Sequence, residues 1–205
     1  MEGDIEEKGA DGIHLSDEKY KAEYHYDRGR EYILKEHPDE AIVELNTAIG
    51  LDPGDPAYYF VRGLAFSKTA DTDNAVSDYT MAINIDWKCF GAHNNRGLEY
   101  YRQGLLDLAI IDYSAAIAFK PDEAMFYSNR ALAYQENKEY LQALADFSTA
   151  IRLDPDDAET YALRGELYSD RGFVPEARAD FEKAMALNPN DIVSYAYSAL
   201  FSGKA

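Results

Sequence analysis

The sequence predicts an all-α solenoid built from five consecutive two-helix units, and two observations carry that prediction. The segments GREY, GLAF, GLEY, ALAY and GELY begin at Gly29, Gly63, Gly97, Ala131 and Gly165, each step 34 residues. Two alanine series keep the same period, one from Ala41 to Ala177 and one from Ala48 to Ala184. Prolines follow at Pro53, Pro121, Pro155 and Pro189, with Trp87 standing where a fifth belongs. A fixed period of this length marks a repeat architecture, in which stacked units bury a shared core that none could bury alone. Five gapless units therefore run over 22–55, 56–89, 90–123, 124–157 and 158–191.

Ahead of them, residues 1–15 form an acidic segment that carries three glycines within its first twelve positions. Such composition predicts mobility. Ser16 is the expected cap of the first helix, because Asp17 and Glu18 suit the positive end of a helix dipole. Leu15 and Tyr20 are spaced to staple that start. Each unit then reads as two helices. In the third, His93, Gly97, Tyr100 and Tyr101 recur at steps of three and four, one buried helical face. Ala109, Tyr113, Ala116 and Ile117 repeat the pattern after a break near Gly104. Lys120-Pro121 ends it, since proline disfavours helix at the residue before it. Small residues at unit positions 8, 20 and 27 allow close backbone approach, and the large residue at 11 or 24 fills the space between.

After residue 191 a lone solvating helix is expected over 192–202, within a tail of 192–205. Its apolar residues fall on two faces, with Ser194, Ser198 and Ser202 between them as a thin polar stripe. Tyr195, Tyr197, Leu200 and Phe201 are therefore candidates for self-association, because apolar patches on both sides of an end helix favour burial. A homo-oligomer formed through this helix is the alternative to a plain cap.

Charge and composition exclude several classes of function. Acidic residues number 38 against 20 basic, giving a formal net charge of −18. Nucleic-acid backbones and anionic membrane surfaces would repel such a chain. A single cysteine, Cys89, permits no internal disulfide framework and fits a reducing compartment. The first twenty residues hold seven acids and no apolar run, so no signal peptide is expected, and the cytoplasm is the expected location. No stretch approaches the length of apolar chain that a membrane helix needs.

The spacing of Tyr127, Ala131, Tyr134, Ala143, Phe147, Ala150 and Pro155 resembles the tetratricopeptide repeat closely, and Tyr161, Gly165, Tyr168, Ala177, Phe181, Ala184 and Pro189 repeat it. The resemblance covers about four-fifths of the chain. It implies a right-handed superhelical stack of helix-turn-helix units, and a scaffold that serves many partners rather than one chemistry. Two departures stand out. Trp87 replaces a proline, and arginine replaces the family's leucine at position 7 of every unit: Arg28, Arg62, Arg96, Arg130 and Arg164. Sixteen residues after each arginine comes an acid, Glu44, Asp78, Asp112, Asp146 or Asp180. Antiparallel packing of the two helices would pair them into a structural ladder of charge-assisted hydrogen bonds.

Catalytic and metal signatures are missing. No H-E-x-x-H, C-x-x-C, G-x-S-x-G or phosphate-binding glycine loop occurs. His25 and His93 occupy a position that is tyrosine elsewhere and are expected to pack. Lys88 beside Cys89 would lower the thiol's pKa slightly, with no acid–histidine pair to use it. Neither an enzyme nor a cofactor or metal site is expected.

Relatives of this kind use the concave face formed by first-helix positions 2, 5, 6, 9, 12 and 13. Those positions give Glu23, Tyr26, Asp27, Arg30 and Ile33 in the first unit and Glu159, Ala162, Leu163, Glu166 and Asp170 in the last. The middle offers Phe60, Leu64, Asn95, Leu98, Tyr101, Met125, Asn129 and Leu132, the candidate partner groove. An apolar middle with acidic ends suits a protein or peptide segment with apolar anchors and basic flanks. Asn95 and Asn129 are points where a peptide backbone could be held. Co-chaperones of the family grip acidic chaperone tails with a carboxylate clamp of lysines, asparagines and arginine. Of its required positions only Asn129 matches in units three to five, where Asn94, Leu98, Glu159 and Leu163 fail, so that mode is excluded. The expected function is a non-enzymatic scaffold or adaptor. The alternatives are a self-assembling structural protein and a chaperone-like holder for a secreted or aggregation-prone client.

Overall fold

The computed structural model describes residues 11–189, which contain ten α-helices and no strand. The first helix of each repeat is α1 (Asp11–Leu34), α3 (Pro56–Lys68), α5 (Phe90–Arg102), α7 (Ala124–Glu136) and α9 (Ala158–Asp170). The second is α2 (Pro38–Leu51), α4 (Thr72–Ile85), α6 (Leu106–Phe119), α8 (Tyr140–Leu153) and α10 (Val174–Leu187). Each second helix is 14 residues long, and each first helix after α1 is 13. The chain divides into two compact units after Asn95, within α5.

Helix α1 starts at Asp11, so Ser16 lies inside a helix rather than capping one. Serine costs a few tenths of a kcal/mol there relative to alanine. Residues 1–10 of the expected mobile segment lie outside the described residues. So do the expected end helix and its Tyr195, Tyr197, Leu200 and Phe201.

The turn between the two helices of a repeat is the same in all five. At unit position 15, Glu36, Ala70, Gly104, Lys138 and Gly172 adopt φ of 61°, 58°, 73°, 63° and 82°. Around each, the amide of position 16 returns to the carbonyl of position 11, as from Asp71 to Phe66 and from Leu105 to Tyr100, both at 2.9 Å. The amide of position 15 returns to position 12. This pair of bonds is a Schellman closure, which satisfies the last carbonyls of the first helix and reverses the chain.

Close packing of the helix pair follows from position 8. A Cβ added to Gly63 would lie 2.7 Å from Tyr79 Cε1, and one added to Gly165 would lie 3.0 Å from Phe181 Cε1. In the first unit Leu45 and Tyr79 are fully enclosed among Ala41, Ala48, Ala75 and Ala82. Tyr113, Phe147 and Phe181 are enclosed in the same way in the second unit, among alanines of the same two positions. Burying one such ring contributes about 2–3 kcal/mol, so the large residues at position 24 anchor each repeat.

Candidate functional site

The arginine series forms a ladder between the two helices of each repeat. Arg62 donates from Nε and Nη2 to Asp78, both at 2.7 Å. Arg96 reaches Asp112 at 2.8 and 2.8 Å, Arg130 reaches Asp146 at 2.7 and 2.8 Å, and Arg164 reaches Asp180 at 2.7 and 2.8 Å. The four aspartates are buried. A third donor, Nη1, crosses to the preceding repeat, where Arg62 meets Asn46, Arg130 meets Ser114 and Arg164 meets Ser148. Rings at positions 4 and 11 flank the guanidinium: Tyr59 and Phe66 beside Arg62, Tyr127 and Tyr134 beside Arg130, Tyr161 and Tyr168 beside Arg164. Bonds to Asp146 and Asp180 hold Arg130 and Arg164 above the ordinary guanidinium range. Each arginine thus replaces leucine by satisfying a buried carboxylate and filling space between rings.

The first rung differs because its acid is longer. One Glu44 oxygen forms an ion pair with Arg28 Nη2 at 3.1 Å, while that nitrogen donates to the Tyr32 hydroxyl, and the other oxygen accepts from His25 Nδ1 at 2.6 Å. His25 is therefore a polar partner, not a packing residue as its position suggests. His93 is buried, and its Nε2 donates to the Trp87 carbonyl at 3.1 Å. Trp87 itself stays 62% exposed, with Lys88 Nζ 5.1 Å above its ring. Burial pushes the Cys89 thiol up, contrary to the lowering expected from Lys88. That lysine is engaged with the indole, and the sequence neighbour cannot offset desolvation. Glu99 was not foreseen as core. It is 1% exposed at a position that is exposed Glu31 in the first repeat and Ala65, Ala133 and Leu167 in the others, and it accepts from Arg102 Nη1 at 2.9 Å.

The sequence-selected groove residues fall on first helices. In the first unit, Tyr26, Arg30, Ile33 and Leu34 of α1 face Phe60, Val61 and Leu64 of α3 across an open groove of about 430 Å³. Phe60 and Leu64 lean with one side on the Tyr59–Tyr79 core. Val61 is buried and belongs to the core. Asn95 is half-buried and accepts from Asn94 at 3.1 Å. In the second unit Leu98, Tyr101, Asn129 and Leu132 are half-buried, and Met125 is 52% exposed. Tyr101 packs on the Tyr113 cluster and Leu132 on the Phe147 cluster. The groove of the first unit also uses Leu34, which stands at position 13 of the first repeat.

Among the described residues no group of three or more histidine, cysteine, aspartate or glutamate side chains could hold a metal ion. No helix among them is long and apolar enough to cross a membrane.

Residues 22–55, 124–157 and 158–191 match models of the tetratricopeptide repeat, and residues 97–138 match a TPR repeat model. No curated protein sequence matches. Among solved structures, MamA from Desulfovibrio magneticus RS-1 superposes with a TM-score of 0.77 at 21% identity, covering 84% of this chain and 97% of that one. PilF of Pseudomonas aeruginosa gives 0.75 at 17% identity, over 91% and 94%. YrrB, described as a TPR protein with an unusual peptide-binding site, gives 0.74 at 14% identity, over 93% and 98%. Likeness at these identities is one of fold, an all-α solenoid of helix-turn-helix repeats.

Proposed function

This chain belongs to the tetratricopeptide repeat family, and we propose from that premise that it is a protein-binding scaffold or adaptor that works without catalysis. The observation that carries the reading is the groove between α1 and α3, where apolar side chains stay half-buried with one face on the core and the other on open space. Side chains arranged this way are pre-ordered for a partner, because little rotamer freedom remains to be lost on binding. Phe60, Leu64 and Asn95 are the proposed contacts in the first unit. Leu98, Tyr101, Met125, Asn129 and Leu132 are those of the second. The peptide-binding site named for YrrB supports a segment of polypeptide as the ligand. Five of the ten arginines are engaged in the ladder, and the chain's net charge of −18 supports a partner that is apolar and basic rather than acidic.

Affinity capture from native extract with the full chain, against the Leu64→Glu, Leu98→Glu variant, tests the reading. A protein captured by the wild type and lost with the variant, at unchanged helical content, is the expected result. Undiminished capture by the variant would place the contact away from these first helices. Recovery of the chain alone would favour self-assembly instead.

A further inference from the structure

Helix α6 has the composition of a buried helix and one open side. Its charged residues are Asp107 and Asp112, and Asp112 is buried against Arg96. A helix apolar on nearly every side is ordinarily covered on every side. Here Leu108 is 43% and Ile111 63% exposed, Ala118 is exposed and Ala115 is half-buried. These four follow one another at steps of three, four and three. They therefore form one stripe, turned away from the enclosed Ala109, Tyr113 and Ala116, with the spacing by which helices pair. Leu105 continues the apolar surface at its start, where it lines an open hollow of about 440 Å³ with Leu106 and Leu108. Every other repeat breaks the stripe at unit position 19, where Glu40, Asn74, Gln142 and Glu176 stand in place of Leu108. Stacking of the repeats therefore does not require it.

The stripe is graded in size, large at Leu108 and Ile111 and small at Ala115 and Ala118. A second α6 laid antiparallel, crossing at residue 113, sets Leu108 on the partner's Ala118 and Ile111 on the partner's Ala115. A two-fold axis makes each of these contacts twice. Large side chains then fill the room that small ones leave, and the helices approach to about 8 Å. A parallel pair would set large on large and leave gaps between the alanines. Charge favours the same occupant. A chain of net charge −18 meets its own copy at least cost on an uncharged face, whereas a basic segment would find no acid within the stripe. Asp107, the exposed acid of α6, lies about 18 Å along the axis from its counterpart in this arrangement. Exposed charges are screened over about 8 Å at physiological salt.

We propose that Leu108, Ile111, Ala115 and Ala118 form the seam of an antiparallel dimer of this chain. The seam lies on a second helix and is independent of the groove reading, which uses first helices. It spans about 15 Å, which is short for the roughly 800 Å² per partner that a stable interface buries, so the pair is weak and reversible.

Sedimentation equilibrium of the full chain, from about 10 µM to 1 mM, tests the seam. The mass should rise towards twice that of one chain, with a Kd of about 100 µM. Association should tighten between low and physiological salt, because screening relieves the repulsion between like-charged copies. Ile111→Asp should weaken it at least about tenfold at unchanged helical content and urea midpoint, since the side chain stands outside the core. Ala115→Leu separates a fitted seam from a merely apolar surface. It adds apolar area, yet its leucine meets the partner's Ile111, and association should again weaken about tenfold. Tighter association of Ala115→Leu would overturn the antiparallel seam. A single-chain mass up to 1 mM, or a dimer that Ile111→Asp leaves intact, would overturn it as well.

Discussion

Ala70 and Gly104 occupy the same place in successive turns, and both hold φ in the left-handed region. A side chain there crowds its own carbonyl, which costs about 1–2 kcal/mol, whereas glycine avoids that cost. Ala70→Gly should therefore raise the unfolding free energy by about 0.5–1 kcal/mol, and Gly104→Ala should lower it by a similar amount, both read from urea midpoints. Nothing lies within 4 Å of a Cβ at Gly104, so the second effect is conformational alone. Gly63→Ala tests the other reason for a glycine. Its new methyl would press on Tyr79, and a loss of about 1–3 kcal/mol is expected. Tyr58→Phe removes an unpartnered buried hydroxyl and should stabilise the chain by about 1 kcal/mol. With the folded phenol held up to about 12, the unfolded state releases its proton first as pH rises through about 10. Tyr58 thus contributes stability that is complete below pH about 10 and is lost towards about 12, and the Phe variant should lose less over that interval.

At the scale of the helix, the start of α6 is suboptimal, because Leu105 sits 43% exposed at its N-cap and offers no side-chain acceptor. Asp71 fills the equivalent place ahead of α4 and accepts from the Asn74 amide. Leu105→Asp should add about 1 kcal/mol to thermal or urea stability. The ladder acts between helices. Removing Arg130 or Asp146 alone leaves a buried charge uncompensated, and each single change should cost about 3 kcal/mol. A double-mutant cycle with Arg130→Met and Asp146→Leu should show a coupling above about 1 kcal/mol, with a value near zero assigning both residues to independent roles.

For the molecule as a whole, a net charge of −18 means that compaction works against self-repulsion. Raising salt screens that repulsion over about 10 Å while touching the enclosed rungs much less. Thermal stability should therefore rise by a few degrees between low and physiological salt, whereas capture of a basic segment should weaken over the same range. A melting temperature that fell with salt would show that surface ion pairs outweigh the repulsion.

The 34-residue period carried the two-helix repeat and the pairing of Arg62, Arg96, Arg130 and Arg164 with their aspartates, because helix packing repeats whatever a periodic sequence repeats. Tertiary structure decided what differs from one repeat to the next. Only packing shows that Glu44 divides its oxygens between Arg28 and His25, that Glu99 is enclosed, and that burial raises Cys89 despite the adjacent lysine. The left-handed turn was legible at Gly104 and Gly172 but hidden at Glu36, Ala70 and Lys138, where residues that usually avoid that backbone are held in it by the Schellman bonds around them.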